Sequence, residues 1–148
     1  PLWAEDIKNA KEMELVQVTG PTAVVASSQL LGSRMIYLSS AMVFDGSRGN
    51  YHEGDVVLPS TALGKAKVNG ENAVKSRSLD YLILRSPPLL GRGPACNPSL
   101  LDRWSWTWNQ NRPVELDHLV RHSYATIEPY CDWVLRCIEA PIKNKTDA

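Results

Sequence analysis

Residues 60–67, STALGKAK, hold the side chains whose chemistry is easiest to interpret. Lys67 follows Leu63 by four residues, so on a helix the two side chains would share one face. A run that ends in Ser39 and Ser40 precedes them, and a lysine near a helix start beside such serines is a common catalytic arrangement. That arrangement needs a proton donor, and leucine has no group that can give or take a proton. The spacing therefore indicates either an active site or the remains of one.

The apolar patterning predicts the elements that position these side chains. Residues 34–40 and 79–86 are continuous β-rich runs, typical of strands buried on both faces of a parallel sheet. Residues 60–75 predict a helix with Ser60 or Thr61 as its N-cap. The other predicted elements are an interrupted helix over 5–31 that kinks or restarts at Gly20-Pro21, helices over 98–109 and 126–139, and a short strand over 114–116. Helices that alternate with strands predict an α/β sheet with right-handed crossovers.

Composition narrows the class of protein. The chain has 148 residues, of which 43% are hydrophobic, and its 16 lysines and arginines balance 16 aspartates and glutamates. We expect one α/β domain over 1–142 with a polar tail over 143–148, and neither a nucleic-acid nor a membrane partner. No secretory signal is visible at the start. The chain has three cysteines, an odd number that cannot all be paired in disulfides within it. Reduced thiols and a cytoplasmic location are the expectation.

Two long segments resemble a known enzyme family. Residues 36–74, IYLSSAMVFDGSRGNYHEGDVVLPSTALGKAKVNGENAV, and residues 79–93, LDYLILRSPPLLGRG, are similar to the extended short-chain dehydrogenase/reductase family. The resemblance is to its dTDP-4-dehydrorhamnose reductase branch, which also contains the regulatory beta subunit of methionine adenosyltransferase. The motifs include Val-Phe-Asp-Gly at 43–46, Gly-Glu at 70–71 and Leu-Arg at 84–85. The resemblance implies a Rossmann-type parallel sheet, represented here by the later part of the family's domain.

The resemblance also implies roles for individual residues. Lys67 fits the family's catalytic and ribose-binding lysine, Ser40 fits the hydroxyl that orients the substrate, and Ser39 is implied as a cofactor contact. Two of these residues have a plainer interpretation. Lys67 could pair with Glu71 four residues on, and Ser40 could bond the backbone of the next loop.

Leu63 stands where the family has its proton-donating tyrosine. General acid catalysis contributes about 10²–10⁴-fold, so the resemblance implies a loss of roughly that size. A water or another phenol would have to replace the donor. Three other tyrosines are candidates, although none lies one helical turn before Lys67: Tyr37, Tyr51 and Tyr81.

The family's nucleotide-binding fingerprint has no clear match in this sequence. That fingerprint is a Gly-rich turn between a strand and a helix, whose backbone amides hold the pyrophosphate. Thr19-Gly20-Pro21 is the nearest segment, but it has one glycine, lies in helical sequence and includes a proline without an amide hydrogen. The resemblance implies NADP or NAD as cofactor, and we expect its binding to be weak or absent. Without the family's early strands, one flank of the sheet would be open to pairing with another chain.

Three alternating tryptophans indicate a contact surface: Trp104, Trp106 and Trp108. On a helix, successive members point about 200° apart, so the three cannot share one face. Exposed tryptophans are typical of interface anchors, which predicts a protein partner or a homo-oligomer. Local core packing is the alternative.

His118 and His122 have the spacing of two metal ligands on a helix, but the sequence places no third firm ligand beside them, so no metal site is predicted. Cys96 has no neighbouring residue that would activate its thiol, so it is not predicted to be a nucleophile.

These observations support two hypotheses about function. The first is a degenerate dTDP-4-dehydrorhamnose reductase-like protein, catalytically impaired, that acts as a binding or subunit-like protein. The second is an NAD(P)-dependent sugar-nucleotide reductase or epimerase whose dinucleotide-binding half is on another chain or outside this sequence. Leu63 and the unmatched glycine turn favour the first hypothesis. A folding remnant without selected function is a third interpretation.

Overall fold

The computed structural model describes residues 10–93, 98–114 and 123–140. The chain divides into two compact units, the first ending at Pro87 and the second beginning at Pro88. The domain limit predicted at residue 142 and the tail predicted over 143–148 lie outside the described residues. Both stay predictions.

The first unit begins with a helical segment in three parts. Helix α1 (Ala10–Glu14) runs into a π-helical turn (Leu15–Thr19), which is followed by α2 (Gly20–Leu30). The interruption predicted at Gly20-Pro21, a kink or a restart, is observed as a change from π-helical to α-helical bonding at Gly20. Pro21 lies in the first turn of α2, where proline is tolerated. Gly32, with φ of +60°, follows the end of α2, as its place at a predicted helix end requires.

Two parallel strands form the sheet of the first unit. Strand β1 (Met35–Ser40) pairs with β2 (Tyr81–Ser86), and the register places Ser39 opposite Arg85. Helix α3 (Ala62–Arg77) connects them, and the side chain of its N-cap, Thr61, accepts a hydrogen bond from the amide of Gly64. The predicted parallel sheet is confirmed, and so is the predicted N-cap, which is Thr61.

The core of this unit lies on one face of β1. Val25 from α2 and Val74 from α3 pack with Met35 and Tyr37, and all four are buried. Leu38, which points to the other face, is 53% exposed. The expectation that both faces of β1 are buried is therefore wrong for the described residues, because α2 and α3 both pack on the face that carries Met35 and Tyr37.

The second unit contains two short strands and two helices. Strand β3 (Leu89–Leu90) pairs in parallel with β4 (Ala125–Thr126), and the helices are α4 (Leu100–Asn109) and α5 (Ile127–Glu139). Ser99 and Asp102 form a capping box at the start of α4. The strand predicted over 114–116 is not observed at Val114, and its other two residues are not described. None of the helices in the described part of the chain combines the length and the apolar character that crossing a lipid bilayer requires.

Candidate functional site

The candidate site lies where β1 ends and α3 begins. Ser40, the last residue of β1, caps the 3₁₀ turn Ala41–Val43, and its side-chain oxygen accepts a hydrogen bond from the amide of Met42 at 3.2 Å. The hydroxyl thus has a local structural use. This geometry matches the plainer of the two interpretations for Ser40, while leaving its half-buried hydroxyl at the strand end where the resemblance implies a substrate.

Lys67 reaches from α3 across β1. Its Nζ donates a hydrogen bond to the carbonyl oxygen of Leu38 at 2.8 Å and lies 5.3 Å from the centre of the Tyr37 ring. Burial lowers the pKa of Lys67, and the charge of Glu71 offsets part of that effect. The ammonium therefore anchors helix to strand through a backbone carbonyl, and the ion pair predicted with Glu71 at the i+4 position is formed instead by Lys75.

Ser39 points toward α3 and meets a buried carboxylate. Its hydroxyl donates to Oε1 of Glu71 at 2.7 Å, and Glu71 is only 1% exposed. Arg85 donates to both oxygens of the same carboxylate, from Nε at 2.9 Å and from Nη2 at 2.8 Å. Burial by itself raises the pKa of Glu71, but the hydrogen bonds from Arg85 and Ser39, with the charges of Arg85 and Lys75, hold the pKa below its ordinary value. The carboxylate is fully paired, as a buried charge must be.

Leu63 precedes Lys67 by one helical turn, and the phenol beside Lys67 is that of Tyr37. Leu63 is half-buried in the first turn of α3, four residues before Lys67. The phenol ring that lies against Lys67 is that of Tyr37, whose hydroxyl donates to the carbonyl oxygen of Gln17 at 3.1 Å. Burial, with a smaller effect from Glu71, raises the pKa of Tyr37 to about 12. This phenol is held in its neutral form and its proton is committed to the backbone.

The other two candidate phenols lie elsewhere. The Tyr51 hydroxyl donates to the carboxylate of Asp45 on the exposed loop after β1. Tyr81 begins β2 and pairs with Met35, at the opposite end of the strands from Ser40. Neither geometry places a phenol at the position that Leu63 occupies.

Two glycines of α3 let the helix approach its neighbours closely. A Cβ at Gly64 would stand 2.2 Å from the carbonyl oxygen of Met42. A Cβ at Gly70 would stand 2.2 Å from both the carbonyl oxygen of Gln17 and the hydroxyl of Tyr37. Because distances this short are forbidden, α3 can lie this close to the site only with glycine at both positions.

The three tryptophans of α4 differ in exposure and do not all line the same surface. Trp106 is 60% exposed and Trp108 is 73% exposed, whereas Trp104 is partly buried. Trp104 and Trp108, four residues apart, line an open trough of about 460 Å³. The other residues that line this trough are Arg92, Ser105, Asn109 and Val114. At least one tryptophan is thus exposed. A contact between these rings and another protein chain stays a prediction.

Several candidates from the sequence lie outside the described residues: Cys96, His118 and His122. Among the residues that the structure does describe, no three histidine, cysteine, aspartate or glutamate side chains are placed to hold a metal ion. Cys131 and Cys137 carry free thiols on α5.

A family profile matches most of the chain. The family described as the RmlD substrate binding domain matches residues 3–102. This chain belongs to that family. Membership of the RmlD family confirms the resemblance to dTDP-4-dehydrorhamnose reductases predicted from the motifs between residues 36 and 93.

Curated relatives of this RmlD-family chain carry the name of a subunit of methionine adenosyltransferase 2. Methionine adenosyltransferase 2 subunit beta from Pongo abelii is 40% identical over 122 residues, which is 80% of this chain and 35% of the relative. The Bos taurus protein of the same name gives the same identity and coverage. The chain spans about a third of the length of these relatives.

Solved structures of RmlD-type reductases have the same fold. A dTDP-4-dehydrorhamnose reductase from Clostridium acetobutylicum superposes with a TM-score of 0.73 at 25% identity, over 87% of this chain and 46% of that one. The Bacillus anthracis enzyme, solved in complex with NADP, gives 0.60 at 28% identity, over 68% and 36%. WbmG from Bordetella bronchiseptica gives 0.78 at 13% identity over 93% and 44%, a likeness of fold alone. The predicted Rossmann-type α/β class is confirmed.

The sequence motifs did not by themselves reveal the buried pair of Glu71 and Arg85. Both residues belong to motifs that carry the family resemblance, Gly-Glu at 70–71 and Leu-Arg at 84–85. Buried charge needs a partner of opposite charge, so a glutamate on the packed side of α3 requires a cation nearby. The parallel register supplies that cation by placing Arg85 beside Ser39.

Proposed function

We propose that this chain is a binding or subunit-like member of the RmlD family that lacks the reductase reaction. By the resemblance, Leu63 occupies the position of the proton donor, and a hydrocarbon cannot protonate a substrate carbonyl. The observation that carries the proposal is the state of the phenol beside Lys67. The Tyr37 hydroxyl donates a hydrogen bond to the carbonyl oxygen of Gln17, and a pKa of about 12 makes it a poor acid near neutral pH.

The contacts of the other site residues agree with a structural role for the place where β1 ends and α3 begins. Lys67 bonds the carbonyl of Leu38, Ser39 bonds Glu71, and Ser40 caps the turn that follows β1. A nucleotide would have to compete with these internal contacts for the groups that the resemblance assigns to it. NADP or NAD binding is therefore weak or absent.

A protein partner is the second part of the proposal. The curated relatives are named as a beta subunit of methionine adenosyltransferase 2. Exposed indoles such as Trp106 and Trp108 are typical anchors of protein interfaces, since burying an indole removes a large apolar area from water. The two rings point about 200° apart on α4, so we expect at least one of them to contact another protein chain or a second copy of this one.

One experiment tests the reductase half of the proposal. The purified chain is incubated with NADPH and a dTDP-4-keto sugar while NADPH fluorescence and absorbance are followed. A dissociation constant weaker than about 100 µM and no NADPH consumption are expected. Turnover by the chain alone would overturn the proposal, and a reductase of the matched kind serves as the positive control.

The alternative is an NAD(P)-dependent sugar-nucleotide reductase or epimerase completed by another dinucleotide-binding half. Its support is that the chain spans 46% of the Clostridium reductase and that the Bacillus enzyme was solved with NADP. Ser40 and Lys67 would then orient substrate and cofactor. NADPH consumption that appears only when a second component is added would favour this alternative.

A further inference from the structure

The loop after β1 carries a four-layer stack of rings and guanidinium groups. We define the arm as residues 44–55. Within it, the rings of Phe44 and Tyr51 are stacked, with centroids 4.3 Å apart and planes inclined by 10°. The guanidinium carbon of Arg48 lies 5.4 Å from the centre of the Tyr51 ring. The guanidinium carbon of Arg85, a residue of β2, lies 5.2 Å from the centre of the Phe44 ring. The order of the stack is Arg48, Tyr51, Phe44 and Arg85, so one of its four layers lies outside the arm.

Arg85 is the layer that connects the arm to the sheet. One edge of its guanidinium donates to both oxygens of Glu71, at 2.9 and 2.8 Å, and Nη1 donates to the carbonyl oxygen of Glu53 in the arm at 3.3 Å. The same guanidinium also lies over the ring of Phe44. Lysine could not replace this arrangement, because a single ammonium has neither a second parallel donor nor a face on which a ring can stack.

The internal bonds of the arm are all at the surface. Arg48 pairs with Asp55, and Asp55 also accepts from the amide of His52 at 2.7 Å. Asp45 accepts from Tyr51 and from the amide of Ser47. Ion pairs and hydrogen bonds in water add little, since solvent competes for both partners. The link best shielded from water is the one between Arg85, whose side chain is 16% exposed, and Glu71, which is 1% exposed.

We infer that Arg85 is a positioning residue that fastens the arm to the sheet through buried Glu71. The arm begins four residues after Ser40, so its placement sets the shape of the surface beside the strand ends. The attachment of the arm does not depend on the proposed function. Only the idea that a binding partner uses the surface beside the arm rests on that proposal. Its test reads the state of the arm itself, so NADPH turnover by the chain would overturn the proposed function and leave this inference standing.

The test compares three variants with the unaltered chain by amide hydrogen exchange. The reporters are the amides of Ser47 and His52, which are bonded only within the arm. Arg85→Lys should speed their exchange by at least about tenfold more than it speeds exchange of the β1 amides. Phe44→Leu removes the stack but leaves the buried pair, and it should release the arm in the same way. Arg34→Lys alters the Arg34–Asp80 ion pair instead and should leave the arm unchanged.

Limited trypsin digestion gives a second readout. Arg48 lies within the arm before Gly49, so release of the arm should speed cleavage there in Arg85→Lys and Phe44→Leu and not in Arg34→Lys. If Arg85→Lys does not fold, Phe44→Leu decides. Native exchange at Ser47 and His52 together with native cleavage in the folded variants would overturn the inference. So would an exchange increase that β1 shares equally, because that would report global destabilisation.

Discussion

Lys67 and Tyr37 lie in direct contact, with the ammonium nitrogen 5.3 Å from the centre of the phenol ring. A lysine beside a phenol usually favours the phenolate. Here the phenol is buried and bonded to a backbone carbonyl, and its pKa is raised instead. The contact joins α3 to β1, and under the proposed function we expect it to stabilise their packing.

The raised pKa of Tyr37 predicts a loss of stability in alkali. Between the ordinary tyrosine value of 10.0 and about 12, the unfolded state releases this proton and the folded state keeps it. The folded state then binds more protons, so the free energy of unfolding falls as the pH rises through that window. Urea unfolding between pH 9 and pH 11, values chosen about the tyrosine range, should show a shallower decline in Tyr37→Phe. Equal slopes in the two proteins would contradict the assignment.

Restoring the phenol at Leu63 tests whether a donor alone is missing. Under the proposed function, Leu63→Tyr gains less than about tenfold in reduction of a dTDP-4-keto sugar, because Lys67 is bonded to Leu38 and nucleotide binding is weak. Initial rates of NADPH consumption measure this, with Leu63→Phe as the matched ring without a hydroxyl. A gain of 10²-fold or more in the tyrosine variant only would support the reductase alternative.

Glu71→Gln should destabilise the first unit strongly. The change leaves the Arg85 guanidinium, whose side chain is 16% exposed, without its counter-charge. Removing one partner of a buried pair costs about 3 kcal/mol or more. Asp80→Asn in the exposed Arg34–Asp80 pair is the control and should cost less than about 1 kcal/mol. Urea unfolding at neutral pH compares the two, and similar costs would show that the buried pair contributes no more than a surface pair.

Acid should weaken the same pair. Because the folded pKa of Glu71 lies below its ordinary value of 4.5, the unfolded state takes up the proton first as the pH falls. The stabilisation is present above that value and is lost as the pH falls through the folded pKa. Between about pH 5 and pH 3, Tm should therefore fall more steeply in the unaltered chain than in Glu71→Gln. A parallel decline would place the titration on other carboxylates.

Gly70→Ala should destabilise the chain although alanine is the better helix former. Alanine in place of glycine favours a helix by about 1 kcal/mol, but this Cβ would overlap Gln17 and Tyr37. We expect a net loss of about 2 kcal/mol in urea unfolding. Gly54→Ala is the control, since nothing lies within 4 Å of a Cβ at Gly54. A stable Gly70→Ala chain would mean that α3 can move away from β1 without cost.

The exposed indoles predict association. Changing Trp106 and Trp108 to serine should remove concentration-dependent association or binding of the partner protein, while near-ultraviolet circular dichroism shows the fold intact. Trp104→Phe, a change to the partly buried ring, should leave association in place. Sedimentation velocity over a hundredfold concentration range, about the span needed to see a mass-action shift, measures self-association. Association that survives the double change would place the interface elsewhere.

Local signals made most of the fold predictable. Strands 34–40 and 79–86 and the helix from residue 60 were predicted within two residues of the observed Met35–Ser40, Tyr81–Ser86 and Ala62–Arg77. Apolar runs, the cap at Thr61 and the interruption at Gly20-Pro21 are encoded within a few residues of where they act. Strands β3 and β4 escaped prediction because a two-residue ladder shows no period.

The contacts of the site were less predictable, because they join residues distant in sequence. Lys67 was assigned to a ligand or to Glu71, and it bonds Leu38, a backbone carbonyl that no residue pattern can indicate. The hydrogen bond of Tyr37 depends on Gln17 in a π-helical turn, an irregularity without a sequence signature here. The roles of Ser39, Ser40 and Lys67 in binding stay predictions.

The pairing of Ser39 with Arg85 has a consequence for how the chain reaches its fold. A slip of one residue between the strands would set Leu84 or Ser86 beside Ser39 and turn Arg85 to the opposite side of the sheet. Glu71 would then be left in the interior with no guanidinium to neutralise it, at a cost of several kcal/mol. Because Glu71 lies on α3, that cost would arise when α3 packs on a misaligned sheet. The buried carboxylate therefore favours the observed strand alignment over its neighbours in register.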